Sequence, residues 1–197
     1  MKKSVVLKVF ILAVAMVISM AAMTGCESIF GASEGLVFTS NGDGTCYVSD
    51  YDYVIYETTG IEFIDQILVG TVIIPELSPS GERVVGIGDM AFAGCLSLTS
   101  VTIPDSVTSI GNMAFGYCTS LTSVTIGDNV SSIGMKAFIG CSSIKRITIP
   151  DSVTKMGYFA FKDCTSLTIC CEAKREPDGW RDWWNPDNRF VVWGYNK

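Results

Sequence analysis

The chain has 197 residues, with 14 Lys and Arg against 20 Asp and Glu, a formal charge of −6 and no histidine. That length suits one domain behind a targeting segment. The missing histidine excludes His-dependent catalytic triads and His-ligated zinc sites. The acidic balance disfavours nucleic acid, whose phosphates need Lys and Arg.

The N-terminus, Met1-Lys2-Lys3, precedes an apolar run from Val9 to Met23 broken only by Ser19. A basic start followed by an apolar run is the pattern of a secretory signal. The run is short for a membrane-spanning helix of about 20 residues. It ends in Met23-Thr24-Gly25-Cys26, which resembles a bacterial lipobox with Met23 where Leu is usual. The expectation is a signal peptide over 1–25, a lipid on Cys26 and a tether over 26–35. Cleavage after Gly25 removes Lys2, Lys3 and Lys8 and no acid, leaving eleven basic residues against twenty acidic ones. With no basic patch for lipid heads, the membrane partner is reached through the lipid alone.

Residues 36–86 are expected to form an N-terminal cap and an irregular first coil. Leu36–Asp50 reads as a hairpin, because Asn41-Gly42 and Asp43-Gly44 are turn signals between alternating runs. That turn lacks the acidic spacing and the closing Glu of a calcium loop. Val72-Ile73-Ile74-Pro75 looks like the strand of the first coil.

From Ile87 a unit of 23 residues recurs. Ala-Phe returns at Ala91-Phe92, Ala114-Phe115, Ala137-Phe138 and Ala160-Phe161, each followed three residues after Phe by Cys95, Cys118, Cys141 or Cys164. A fixed period of this size means stacked coils, because one unit cannot bury its own apolar face. Val101-Thr102-Ile103, Val124-Thr125-Ile126 and Ile147-Thr148-Ile149 alternate as half-buried strands. Pro104-Asp105, Gly127-Asp128 and Pro150-Asp151 end them in turns. A second stretch follows at Val107–Ile110, Val130–Ile133 and Val153–Met156. Gly88, Gly111, Gly134 and Gly157 then mark tight corners, and about one helical turn leads to each Cys. Stacking at about 4.8 Å lines up Phe, Leu98/Leu121/Ile144/Leu167, Val101/Val124/Ile147 and Ile103/Ile126/Ile149 as core ladders.

This pattern resembles the BspA-like leucine-rich repeats over roughly Val72 to Leu167. The resemblance implies a curved solenoid on a secreted or surface protein of a bacterium, with adhesion and host contact among the family's roles. It brings no catalytic residue with it. The fold class expected is α/β and β-rich: a solenoid of about four to five coils, with the repeats over 87–172 between a hairpin cap and a Trp-rich cap over 173–197. That last segment holds Trp180, Trp183, Trp184 and Trp193, and Phe190–Trp193 reads as a final strand. Its tryptophans cover the open end of the last coil or, alternatively, Trp180, Trp183 and Trp184 offer a stacking platform to a glycan.

No Gly-x-Ser-x-Gly, no phosphate-cradling glycine loop and no Cys-x-x-Cys pair is present, so no catalytic residue, metal or cofactor is expected. The repeat cysteines are expected as small buried hydrophobes, which is the usual behaviour of a free thiol. The candidate binding face consists of outward strand positions Ser100, Ser123 and Arg146 with Thr102, Thr125 and Thr148; on the second stretch Thr108, Ser131 and Thr154, and Ser109, Ser132 and Lys155, also point outward. The function expected is non-catalytic protein binding or adhesion at the cell envelope. Glycan binding and a purely structural envelope role are the alternatives.

Overall fold

The computed structural model describes residues 36–51 and 70–196. The expected signal peptide, the lipid site Cys26 and the tether lie outside the described residues, as does the middle of the 36–86 cap.

The hairpin is present. β1 (Leu36–Ser40) pairs antiparallel with β2 (Thr45–Tyr51), and the Asn41 N–H donates to the Thr45 carbonyl at 2.9 Å across the turn. Asp43 caps the same turn by accepting from the Thr45 N–H and hydroxyl. β3 (Gly70–Ile73) and β4 (Arg83–Ile87) make the first coil, joined by the longer return turn.

Each later coil gives one strand to each of two sides. On the first side run β5 (Leu98–Thr102), β7 (Ser123–Thr125), β9 (Arg146–Ile149) and β11 (Thr168–Cys171). On the second run the two-residue strands β6 (Ser109–Ile110), β8 (Ser132–Ile133) and β10 (Lys155–Met156). The second side is one sheet in the order β1-β2-β4-β6-β8-β10, parallel from β2 onward. The first side is two sheets, β3-β5-β7 and β9-β11-β12, where β12 is Phe190–Trp193. At the seam between β7 and β9, Val124 is half-buried while Val101 and Ile147 are buried.

The third side of each coil holds Ala-Phe and Cys. No helix occurs among the described residues, so the expected helical turn is replaced by consecutive turns. The reason is backbone handedness: φ is positive at Met90, Met113, Lys136 and Phe159, and again four residues later at Gly94, Tyr117, Gly140 and Asp163. A left-handed residue every few positions stops a right-handed helix from propagating. The arc instead hydrogen-bonds from coil to coil, with the N–H of Phe92, Phe115 and Phe138 donating to Ala114, Ala137 and Ala160 at 2.7, 2.8 and 2.9 Å.

The corner glycines serve a different need from the one expected. Gly88, Gly111, Gly134 and Gly157 have no positive φ. A Cβ on Gly134 would lie 2.6 Å from the Gly111 carbonyl carbon, and one on Gly157 would lie 2.3 Å from the Met135 nitrogen. Glycine is held there by the close approach of neighbouring coils.

The core runs the length of the stack. Phe92, Phe115, Phe138 and Phe161 are fully buried and stack with centroids 5.0, 5.3 and 5.5 Å apart, their planes within 7°. Each ring contributes about 1.5–3 kcal/mol through burial. The thiols of Cys118, Cys141 and Cys164 are buried beside this stack. Each donates to the carbonyl of the Phe one coil back, at 3.1, 3.0 and 3.1 Å. They therefore pack as small apolar groups and also satisfy a buried acceptor.

Candidate functional site

The outward residues of the first side stand in register. Ser100 lies opposite Ser123 and Thr102 opposite Thr125 across β5 and β7, while Arg146 and Thr148 of β9 face Thr168 and Cys170 of β11. Ser123, Thr125 and Arg146 are exposed, and Ser100, Thr102 and Thr148 are partly so. The alternation that buries Val101 and Ile147 turns these six side chains outward. None of their side chains makes a hydrogen bond or ion pair within the described part of the protein.

The second stretch behaves differently. The Thr108 hydroxyl donates to the Val85 carbonyl at 3.0 Å, Ser131 to Thr108 at 3.0 Å and Thr154 to Ser131 at 3.5 Å. Three of the six side chains expected to face a partner there are thus spent on joining coils, while those of Ser109, Ser132 and Lys155 make no hydrogen bond among the described residues. Asn112 is spent likewise: its Nδ2 donates to Asp89 at 3.1 Å and its Oδ1 accepts from the Met135 N–H at 2.8 Å. The face of β5, β7 and β9 thus keeps unused donors and acceptors, one guanidinium among them, with β7 paired to β5 on one side of the seam and β9 to β11 on the other.

The Trp-rich segment forms one more turn of the solenoid. β12 pairs parallel with β11, matching Thr168 to Phe190 and Cys171 to Trp193, and Trp180 bridges to Met156. Trp184 meets Phe161 edge-on at 6.3 Å and ends the phenylalanine stack, and Trp180 crosses Trp184 at 4.7 Å. The Trp180 indole N–H donates to the Val153 carbonyl at 2.9 Å. Trp180 and Trp184 are 6% and 5% exposed, which corrects their assignment as a glycan platform, because neither has a free ring face. Trp183, held at φ 64°, is 67% exposed.

Three of the described thiols, those of Cys118, Cys164 and Cys171, offer no nucleophile. Burial pushes Cys164 and Cys171 up to about 12. Cys118 is raised chiefly by its hydrogen bond with the Cys141 thiol and further by burial. A protonated, buried thiol neither attacks a substrate nor binds a metal. Among the described residues no group of His, Cys, Asp or Glu is arranged to hold a metal ion.

A family model for the BspA type leucine rich repeat region (6 copies) matches residues 85–171. A solved leucine-rich repeat protein from Bacteroides capillosus is 33% identical, covering 73% of this chain and 99% of its own length at a TM-score of 0.54. This chain belongs to the BspA type leucine-rich repeat proteins. The leucine-rich repeat protein of T. pallidum is 23% identical over 82% of this chain and 80% of its own, at a TM-score of 0.53, and shares the fold. No curated protein matches the chain. The repeat family suggests a protein-interaction or surface role, and no enzymatic family is indicated.

One feature of the repeat protein escaped sequence reasoning. A groove of about 510 Å³ crosses four coils towards the C-terminal end, from Asn112 to Arg181, with Lys155, Tyr158 and Asp178 along it. The signal was available, since Arg181 continues the series Gly134, Gly157. It was hidden because the spacing there becomes 24 residues.

Proposed function

We propose that this repeat protein is a lipid-anchored, extracytoplasmic binding module that docks a protein partner on the face of β5, β7 and β9. The observation that carries the reading is the division of labour among hydroxyls. Those of Thr108, Ser131 and Thr154 are consumed within the solenoid, whereas those of Ser100, Thr102, Ser123, Thr125 and Thr148 are left unpaired on the outward side of two adjoining sheets. A pre-ordered face loses little conformational freedom on binding, which favours affinity. Arg146, unpaired on β9, supplies the charge that fixes orientation. The anchor rests on the Met23-Thr24-Gly25-Cys26 sequence and places the face outside the membrane. Adhesion to a host or neighbouring-cell protein is the role this geometry suits.

The test is binding of the full chain to an array of extracellular-matrix proteins, with Thr125→Arg and Thr148→Arg variants alongside. Binding that these variants lose supports the proposal. Folded wild-type protein that binds nothing favours a structural envelope role instead. A glycan role for the exposed Trp183 is tested on the same array by glycan binding that Trp183→Ala abolishes.

A further inference from the structure

We infer that the groove crossing the last four coils is a second binding site, for a short uronic-acid oligosaccharide. The argument begins with the backbone. The N–H of Gly134, Gly157 and Arg181 each donates to the residue one coil back, Ile110, Ile133 and Met156, at 2.8, 2.8 and 2.9 Å. The three positions are therefore equivalent, and Arg181 stands where the preceding coils carry glycine. Gly134 and Gly157 line the groove with backbone packed closely on the neighbouring coil, and Arg181 adds a side chain at its end.

The walls are chemically distinct from the rest of the surface. Lys155 replaces the serine that the preceding coil carries at Ser132, so two cations enter the groove by departing from the repeat. Both are exposed, and among the described residues the ion pairs are Lys162 with Asp163 and Arg189 with Asp187, leaving Lys155 and Arg181 without a carboxylate. Two unpaired cations in one groove of a chain with an acidic excess select a carboxylate ligand locally, through charge-assisted hydrogen bonds. The exposed carboxylate of Asp178 makes no hydrogen bond and accepts from sugar hydroxyls. The Tyr158 ring is 42% exposed and takes the place that Met135 and Asn112 hold in earlier coils. Its face gives the C–H side of a pyranose an apolar surface, and its hydroxyl remains unpaired. An acidic peptide would use the cations but brings neither the ring hydroxyls that Asp178 accepts from nor a pyranose face for Tyr158. The volume lies within the roughly 300–1,000 Å³ typical of small-ligand sites.

The site is separate from the sheet face proposed above, so the two are tested independently. The experiment is calorimetric titration of the full chain with trigalacturonate, its fully methyl-esterified form and triglutamate. The variants Lys155→Ser and Arg181→Gly install the residues of the preceding coil, and Thr125→Arg is the control on the sheet face. Trigalacturonate is expected to bind, to weaken with added salt, and to weaken about tenfold or more in each groove variant while Thr125→Arg leaves it unchanged. The methyl ester is expected to bind at least about tenfold more weakly. If a truncation unfolds, as judged by thermal melting, Lys155→Gln and Arg181→Gln keep the side-chain stems and take its place. Absence of trigalacturonate binding, binding unchanged by the groove variants, or equal binding of triglutamate would each overturn the assignment.

Discussion

The Cys141 thiol donates to the Phe115 carbonyl, 3.0 Å away and one coil earlier. Cys118 and Cys164 repeat the contact with Phe92 and Phe138. Each of these three cysteines is thus a small, buried donor to a carbonyl that also accepts a backbone N–H within its own arc. Replacing Cys141 by Ala removes the donor and leaves a small void. The expected loss is about 1–3 kcal/mol, measured by urea unfolding.

The same burial controls reactivity. Cys164 is pushed up to about 12 by burial, so almost none of it is thiolate at neutral pH. In native protein, iodoacetamide is expected to leave Cys118, Cys141 and Cys164 unmodified, and in denaturant to label all three. Peptide mass spectrometry checks this. Rapid labelling of native protein would show that the coils open.

Backbone crowding and backbone handedness predict opposite signs for neighbouring residues. Gly134→Ala places a methyl 2.6 Å from the preceding coil and is expected to cost about 1–3 kcal/mol or more. Lys136, two residues on, is held at φ 58°. Lys136→Gly releases roughly 1–2 kcal/mol of strain, offset by roughly 0.4–1 kcal/mol of unfolded-chain entropy, so a small net stabilisation is expected. Thermal melting of the two variants measures both.

The last coil carries a pH dependence. Burial acts to raise the Asp187 carboxyl, but the Asp163 N–H at 2.7 Å and the Arg189 guanidinium at 3.0 Å outweigh it, and the group is lowered overall. A lowered folded value contributes stability that is fully present above the unfolded aspartate value of about 3.9 and is lost as pH falls through the folded value. Acid titration followed by Trp fluorescence is expected to report loosening of this coil below about pH 4, with a smaller acid effect in Asp187→Asn.

Periodicity made the solenoid legible before any coordinates. The ladders of Phe, Leu98/Leu121/Ile144/Leu167 and Ile103/Ile126/Ile149 follow from residues recurring in step, and all are buried. Handedness was not legible: nothing about Met90 or Lys136 as residue types announces a positive φ, which is imposed by coil stacking. The role of the glycines was misread for the same reason, since Gly134 answers to a neighbour 23 residues away in sequence. The fate of hydroxyls was equally hidden. Thr108 and Thr125 look alike in sequence, and only the position of the Val85 carbonyl decides that the first is consumed. Trp184 stands 23 residues after Phe161 and so continues the stack in step, whereas Trp180 stands 24 residues after Met156, a shift that a strict 23-residue alignment does not follow.

Hydrogen exchange on the full chain with a bound protein partner tests the central claim most directly. The account predicts slowed exchange in Leu98–Thr102, Ser123–Thr125 and Arg146–Ile149, with Ser109–Ile110, Ser132–Ile133 and Lys155–Met156 unchanged. Protection confined to the second set, or to the arc that carries Phe92 to Phe161, would contradict it.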